Sequence, residues 1–233
     1  MVTCMSDPGS LCPVIKASEV VGDKWTLLVL RELLLGSTRY NQFQRALPRI
    51  SPTVLSGRLK DMETNGLIVH VTTTGQKRGE YRLTPAAKEL APIVDSLARW
   101  GLRWARDQLC DADLDAGTFM WDFHRSIDTS RFIDGRTTIA VIFSELDNQQ
   151  WWLLIDDGMV DLCNQDPGFD VDVYLASTLP TLAGIWMGDI SVSMAIAEKQ
   201  LRVTGSSSLV KTAPRWFPQS QYAGVRPQNL EDL

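Results

Sequence analysis

The sequence predicts an α+β chain in two parts: a helical first part closed by a small β-hairpin, and a second part mixing strands with helices. Three observations lead there. Apolar residues recur at three- and four-residue spacing from Pro13 to Leu47, from Pro52 to Asn65 and again after Pro85, which is the helical period. Beyond Phe119, short β-prone runs bounded by turn residues are interleaved with helical ones. Charge is divided unevenly: residues 1–110 carry fifteen Lys and Arg against ten Asp and Glu, a balance of +5, and residues 111–233 carry eight against eighteen, a balance of −10. A basic part can approach a polyanion that an acidic part repels, so the two halves face different partners. With 233 residues, 44% of them hydrophobic, the chain is long enough to bury its cores without disulfides.

Val14, Ala17, Val20 and Val21 form one apolar stripe, and Trp25, Leu28, Val29 and Leu33 a second. Gly22-Asp23 separates them, with Asp23 placed to cap the second helix and Gly36 to stop it, so helices are expected over 13–21 and 24–35. Phe43, Ala46 and Leu47 share a face of 40–47, which Pro48-Arg49-Ile50 breaks. Ser51-Pro52 then supplies a cap and a first helical residue with its φ already set. The helix that follows, 52–65, keeps Leu55, Leu59 and Met62 inward and ends at Asn65-Gly66. A short helix, a tight turn and a second helix make a helix-turn-helix candidate.

Residues 67–74 and 79–84 are β-prone and joined by Gly75-Gln76-Lys77-Arg78-Gly79, a hairpin with a basic tip. Thr84-Pro85 opens a long helix expected to reach about 109, with Leu90, Ile93, Val94, Leu97, Trp100 and Trp104 in register. The polar, acidic stretch Asp111–Gly117 marks the boundary, giving domains of 1–110 and 118–225. In the second domain, strands are expected at 137–143, 151–155, 159–163, 171–175 and 201–204, and helices at 179–187, 192–198 and 206–217.

Several function classes drop out. The cysteines at 4, 12, 110 and 163 and the two histidines, His70 and His124, form no zinc signature. No G-x-S-x-G elbow, phosphate loop or His/carboxylate cluster is present, so the chain reads as a non-enzyme with no cofactor and no metal. His124, beside Arg125, reads as a surface histidine. The longest apolar run, 27–35, is interrupted by Arg31 and Glu32, and residues 1–11 lack the pattern of a secretory leader. A cytoplasmic protein with reduced thiols and no membrane span is expected.

The expected partner of the first part is double-stranded DNA. Helix 52–65 is about 21 Å long at 1.5 Å per residue, a size that enters the major groove. If Leu55, Leu59 and Met62 face inward, a 100° step per residue turns Thr53, Ser56, Gly57, Lys60 and Thr64 outward. Small and polar groups there can reach base edges without holding the helix away. Arg39, Tyr40, Arg49, Lys77 and Arg78 fall on the turns and the hairpin tip, where they can contact phosphates; Ser51 and Arg58 complete the expected DNA-binding set.

Residues 12–104 resemble the HxlR-type winged helix-turn-helix family of bacterial transcription regulators. The resemblance rests on Cys12-Pro13, Gly22-Asp-Lys-Trp-Thr-Leu-Leu-Val-Leu-Arg-Glu-Leu33, Arg39-Tyr-Asn-Gln-Phe43, Ile50-Ser-Pro-Thr-Val-Leu-Ser56, Arg58-Leu59 and Tyr81-Arg-Leu-Thr-Pro85. It implies a homodimer, built on the first and last helices of the domain, that binds a pseudo-palindromic operator. Thr53 and Gly57 stand where the family more often has longer polar side chains, so operator sequence does not transfer. In some relatives the cysteine beside this proline senses oxidants or electrophiles. Here Cys12, with Lys16 one turn on, is open to that reading and to a second one, as a small apolar residue in the dimer seam.

The second part is rich in aromatic and apolar residues. Phe119, Trp121, Phe143, Trp152, Trp186, Met187 and Trp216 are candidates for lining a pocket for a lipid or other apolar small molecule, and equally for filling an ordinary core. The stretches 160–174, 182–189 and 201–205 resemble a sterol-carrier-protein-like α/β domain, which implies a sheet with helices over an apolar cavity. Two functions are therefore weighed: a dimeric DNA-binding regulator modulated by an apolar ligand, and a lipid-binding or lipid-transfer protein using its helical half for dimerisation.

Overall fold

Each helix of the first part begins where the sequence provides a cap. In the computed structural model, which describes residues 11–72, 79–106, 114–132 and 135–228, α1 (Pro13–Val21) is followed by α2 (Lys24–Leu34). The carboxylate of Asp23 accepts from the backbone N–H of Trp25 (2.9 Å) and Thr26 (3.2 Å). Next come α3 (Tyr40–Ala46) and α4 (Pro52–Thr64), the latter capped by Ser51 Oγ, which accepts from Val54 N–H at 3.3 Å. Gly66 takes φ +71° and turns the chain out of α4, a conformation costly for a residue with a Cβ. The hairpin strands β1 (Ile68–Val71) and β2 (Glu80–Leu83) pair antiparallel. The core of this part joins Val29, Leu30 and Leu33 of α2, Phe43 of α3, Leu55, Leu59 and Met62 of α4, Ile68 of β1 and Ala87.

The long helix expected over 85–109 is two helices, α5 (Pro85–Lys88) and α6 (Ala91–Trp104), separated at Glu89-Leu90. Pro92 explains the break: it has no N–H to give the Lys88 carbonyl, and its ring crowds that carbonyl. Residues 107–110 of the expected helix and the Asp111–Gly117 boundary up to 113 lie outside the described residues. No residue of α1 or α6 is buried, although both carry large apolar side chains. Val14 is 73% exposed, Ile93 56%, Leu97 49% and Trp100 58%.

The chain divides into two compact units, 1–98 and 99–233, so the second half of α6 is counted with the second unit. Contacts within that unit account for this: Gln228 N–H donates to the Arg103 carbonyl at 2.8 Å, and the Arg99 guanidinium lies 5.6 Å from the centre of the Tyr222 ring.

In the second unit α7 (Ala116–Arg125) and a 3-10 turn (Thr129–Arg131) precede β3 (Thr137–Phe143), β4 (Gln149–Asp156) and β5 (Met159–Cys163). Asp157 and Gly158, both with positive φ, close the β4–β5 hairpin as its twist requires. There follow β6 (Val173–Ser177), α8 (Leu179–Trp186), α9 (Val192–Ala197), β7 (Leu201–Gly205) and α10 (Ser207–Trp216). The sheet order is β5-β4-β3-β6-β7, with β3 and β6 parallel and the other neighbours antiparallel. Ile139, Val141, Phe143, Leu153, Ile155, Val173, Leu175 and Leu201 form one face of this sheet and pack with residues of all four helices. The opposite face carries Thr138, Ala140, Trp152, Leu154 and Tyr174; Ala140 stands opposite both Trp152 and Tyr174 in the register and is fully buried.

His124 is half-buried on α7 and is not the surface histidine expected. Desolvation, and next the Arg125 guanidinium, push it down from 6.5 to about 4, against the pull of the Met120 carbonyl 3.3 Å from Nδ1 and of the Asp161 carboxylate. As pH falls the unfolded chain therefore takes up this proton first. The neutral imidazole costs nothing above about pH 6.5, and stability drains away between there and about pH 4, by roughly 3 kcal/mol in all. Urea denaturation at pH 7 and pH 4.5 is expected to show a smaller loss for His124→Gln than for the parent chain.

Candidate nucleic-acid interface

The α3–turn–α4 unit presents one polar face. Thr53, Ser56, Gly57 and Lys60 are exposed on α4, opposite the buried Leu55, Leu59 and Met62, as the 100° step requires. Ser51 and Arg49 are exposed on the turn before it. Val54, 39% exposed, adds an apolar group to the first turn of α4 that the outward set did not contain.

Other members of the expected set bond within the protein. Tyr40 Oη donates to the Pro52 carbonyl at 3.0 Å, and Ser56 Oγ donates to Tyr40 Oη at 3.4 Å. This hydroxyl thus ties α3 to the first turns of α4 and sets the angle of the helix it serves. Arg58 lies 3.5 Å from the capping carboxylate of Asp23 and 3.3 Å from that of Asp61. Exposed pairs like these contribute about 0–1 kcal/mol each, so their effect is to aim the side chain along α4 more than to hold the fold. Arg39 reaches Glu80 on β2 at 3.3 Å, while its backbone N–H and that of Thr38 donate to Gln42 Oε1. Tyr81 N–H donates to the Thr38 carbonyl at 2.8 Å, which fixes the hairpin against the start of α3. Lys77 and Arg78, expected at the hairpin tip, lie outside the described residues.

Between α3 and the hairpin is a cavity of about 420 Å³ lined by Arg39, Tyr40, Asn41, Gln44, His70, Gly79 and Tyr81. The His70 and Tyr81 rings stack with centres 4.6 Å apart, and His70 N–H donates to Glu63 Oε1 at 3.2 Å. Burial, then the Glu63 carboxylate and Tyr40, raise Tyr81, so it stays a phenol at neutral pH. Asn41, Gln44 and His70 were absent from the expected set. The helical period does place Asn41 and Gln44 on the outer side of α3, but nothing local to His70 relates it to them.

These features have counterparts in known proteins. A family model described as HxlR-like helix-turn-helix matches residues 20–109. An uncharacterized HTH-type transcriptional regulator of Synechocystis sp. is 34% identical over 122 residues, 50% of this chain and 90% of its own length. The HTH-type transcriptional regulator YvaP of Bacillus subtilis is 36% identical over 103 residues, 43% of this chain and 95% of its own. The chain belongs to the HxlR-like helix-turn-helix family. Among solved structures, the redox regulator HypR in its oxidized form is 29% identical, covers 43% of this chain and 99% of its own, and has a TM-score of 0.38.

Membership in the HxlR-like family makes the chain a transcriptional regulator of the helix-turn-helix type, a non-enzymatic class. Most of the second unit lies beyond the 20–109 match. Among the described residues there is no group of three or more His, Cys, Asp or Glu able to hold a metal, and no helix long and apolar enough to cross a membrane. Cys12 is exposed at the head of α1, beside the exposed Leu11 and Val14. The ammonium of Lys16, one turn on in sequence, pairs with Glu19 at 3.0 Å, so its charge is shared with a carboxylate.

The seven aromatic and apolar residues considered as a ligand pocket are divided between the two faces of the large sheet. Phe119 meets Phe143 (6.3 Å between ring centres) and Trp186 (5.9 Å), and these rings pack into the layer between sheet and helices together with the buried Trp216. Trp152 belongs to the opposite face, because strand alternation puts its neighbours Trp151 and Leu153 on the helix side. Trp121 is buried beneath the Arg125 guanidinium, 4.5 Å from its ring centre, and Met187 follows α8 half-buried.

Proposed function

We propose that this regulator binds a pseudo-palindromic operator as a homodimer, with α4 in the major groove and the hairpin alongside. The observation that carries the reading is the exposed face of α4: Thr53, Ser56 and Lys60 are open to solvent on a helix whose other side is core. Arg39 and Arg49 flank that face and Asn41 and Gln44 widen it, in the arrangement of phosphate contacts around base contacts. The dimer accounts for α1 and α6, none of whose residues is buried by the described residues and whose Val14, Ile93, Leu97 and Trp100 are exposed. In that seam Cys12 packs as a small apolar residue among Leu11 and Val14.

The test is DNA binding by the purified chain across a salt series. A dimer that neutralises about 6 to 10 phosphates gives a slope of log K on log salt near −5 to −9, and a flat response refutes the reading. Lys60→Ala and Arg49→Ala are expected to weaken binding to all sequences and to flatten the slope by about 1 each, whereas Thr53→Ala and Ser56→Ala change which operators are selected. Fragments captured from the source genome provide the readout for selection.

A second reading concerns the second unit, proposed as a sterol-carrier-like domain that takes an apolar ligand carrying one polar oxygen. The indole N–H of Trp151, on the helix-facing side of the sheet, is buried and has no acceptor among the described residues, a costly state that such an oxygen relieves. Native mass spectrometry of the chain, purified without detergent and then incubated with fatty acids, is expected to show a one-to-one adduct. The bare mass alone argues for a closed structural core.

A further inference from the structure

The second unit is acidic in sequence, yet one of its pockets is walled by cations. A cavity of about 590 Å³ is lined by Arg99, Arg103, Gln221, Gly224, Val225, Arg226, Pro227 and Gln228. All of these lie in residues 99–228, within one compact unit, and among the described residues no acidic side chain lines the pocket. Arg99 and Arg103 are one helical turn apart on α6, so their side chains leave the same wall. The segment carrying Gln221 and Arg226 forms the facing wall, and it is held in place at both ends: Ser220 N–H donates to the Trp186 carbonyl and Gln228 N–H to the Arg103 carbonyl, each at 2.8 Å.

The guanidiniums are oriented from outside the pocket. Arg226 Nη1 donates to the Gly188 carbonyl at 3.2 Å and lies 3.9 Å from Asp189. That carboxylate is already paired with Arg106, whose Nη1 is buried without a hydrogen-bond partner among the described residues. Two arginines, Arg106 and Arg226, thus share one carboxylate. Tyr222 lies under the Arg99 guanidinium and limits how it turns.

We propose that this pocket binds a small molecule bearing a terminal phosphate. Planar forks arriving from two walls can each take phosphate oxygens in bidentate fashion, and the Gln221 and Gln228 amides add neutral donors and acceptors for the rest of the molecule. The volume is that of a metabolite site rather than of a single ion. The ligand is distinct in chemistry from the apolar one considered for the aromatic layer, and the proposal does not depend on the operator reading.

The experiment is calorimetric titration of the full chain with inorganic pyrophosphate, with sodium chloride at matched ionic strength as control. Saturable one-to-one binding is expected, weakened about tenfold or more by Arg103→Gln, the loss of one charge-assisted contact, and unchanged by Arg49→Gln in the first unit. Arg103 is exposed on α6, so the variant keeps its fold. Heat that follows ionic strength alone, or binding equal in Arg103→Gln and the parent, overturns the proposal. So does displacement of pyrophosphate by a random DNA duplex together with loss of duplex affinity in Arg103→Gln, which would make this wall a DNA-backbone contact.

Discussion

Replacing Leu97 and Trp100 together by glutamate is expected to leave the chain monomeric and to weaken operator binding by about two to four orders of magnitude. Both side chains are about half exposed in the single chain, so the substitution removes little core and the far-ultraviolet circular dichroism stays that of the parent. What changes is the cover available to α6. Four glutamates brought together across a two-fold axis oppose association, and a lone subunit engages one half-site at a time. Sedimentation velocity and DNA titration, run on the same samples, read the two effects. A variant that remains dimeric would place the seam elsewhere; one that becomes monomeric yet binds as tightly as the parent would show that pairing is not what gives the operator its affinity.

Phe143→Ala has the largest expected effect on stability. The ring is fully buried at the end of β3 and faces Phe119 edge-on, so its removal leaves a hole in the second core. A loss of about 3 to 5 kcal/mol follows for such a truncation, or a fall of roughly 10 to 20 °C in melting temperature for a unit of this size. The first unit has its own core around Phe43, Leu55 and Leu59. Its transition is therefore expected to stay where it is, and differential scanning calorimetry should resolve one shifted peak and one unmoved.

The parts of the molecule that could be read from sequence are those decided by neighbours along the chain. Asp23, Ser51-Pro52 and Thr84-Pro85 announce helix starts because a cap acts on N–H groups two or three residues away, and each does so in the structure. The outward set on α4 was legible for the same reason, since one apolar stripe fixes the opposite face. Pro92 is the local signal that divides the helix expected over 85–109. The central pairing of β3 with β6 was not legible, because register between distant strands depends on the whole sheet. Nor was the use of the Tyr40 hydroxyl and the Arg58 guanidinium as internal ties, which depends on Pro52 and Asp23 being brought to them by tertiary packing. His70 joins α3 for a similar reason: the hairpin is docked by Tyr81 and Thr38, and neither residue advertises it.

The middle of the large sheet also constrains how the protein is made. β3 leaves the ribosome about thirty residues before its parallel partner β6, and β6 is flanked on its other side only once β7 has been synthesised. A chain that stops short of Leu201 would end with a row of bare amide and carbonyl groups along an apolar ribbon, ready to pair with a stranger. Prematurely terminated products of this gene are therefore expected in inclusion bodies, even though their first ninety-eight residues form a compact unit.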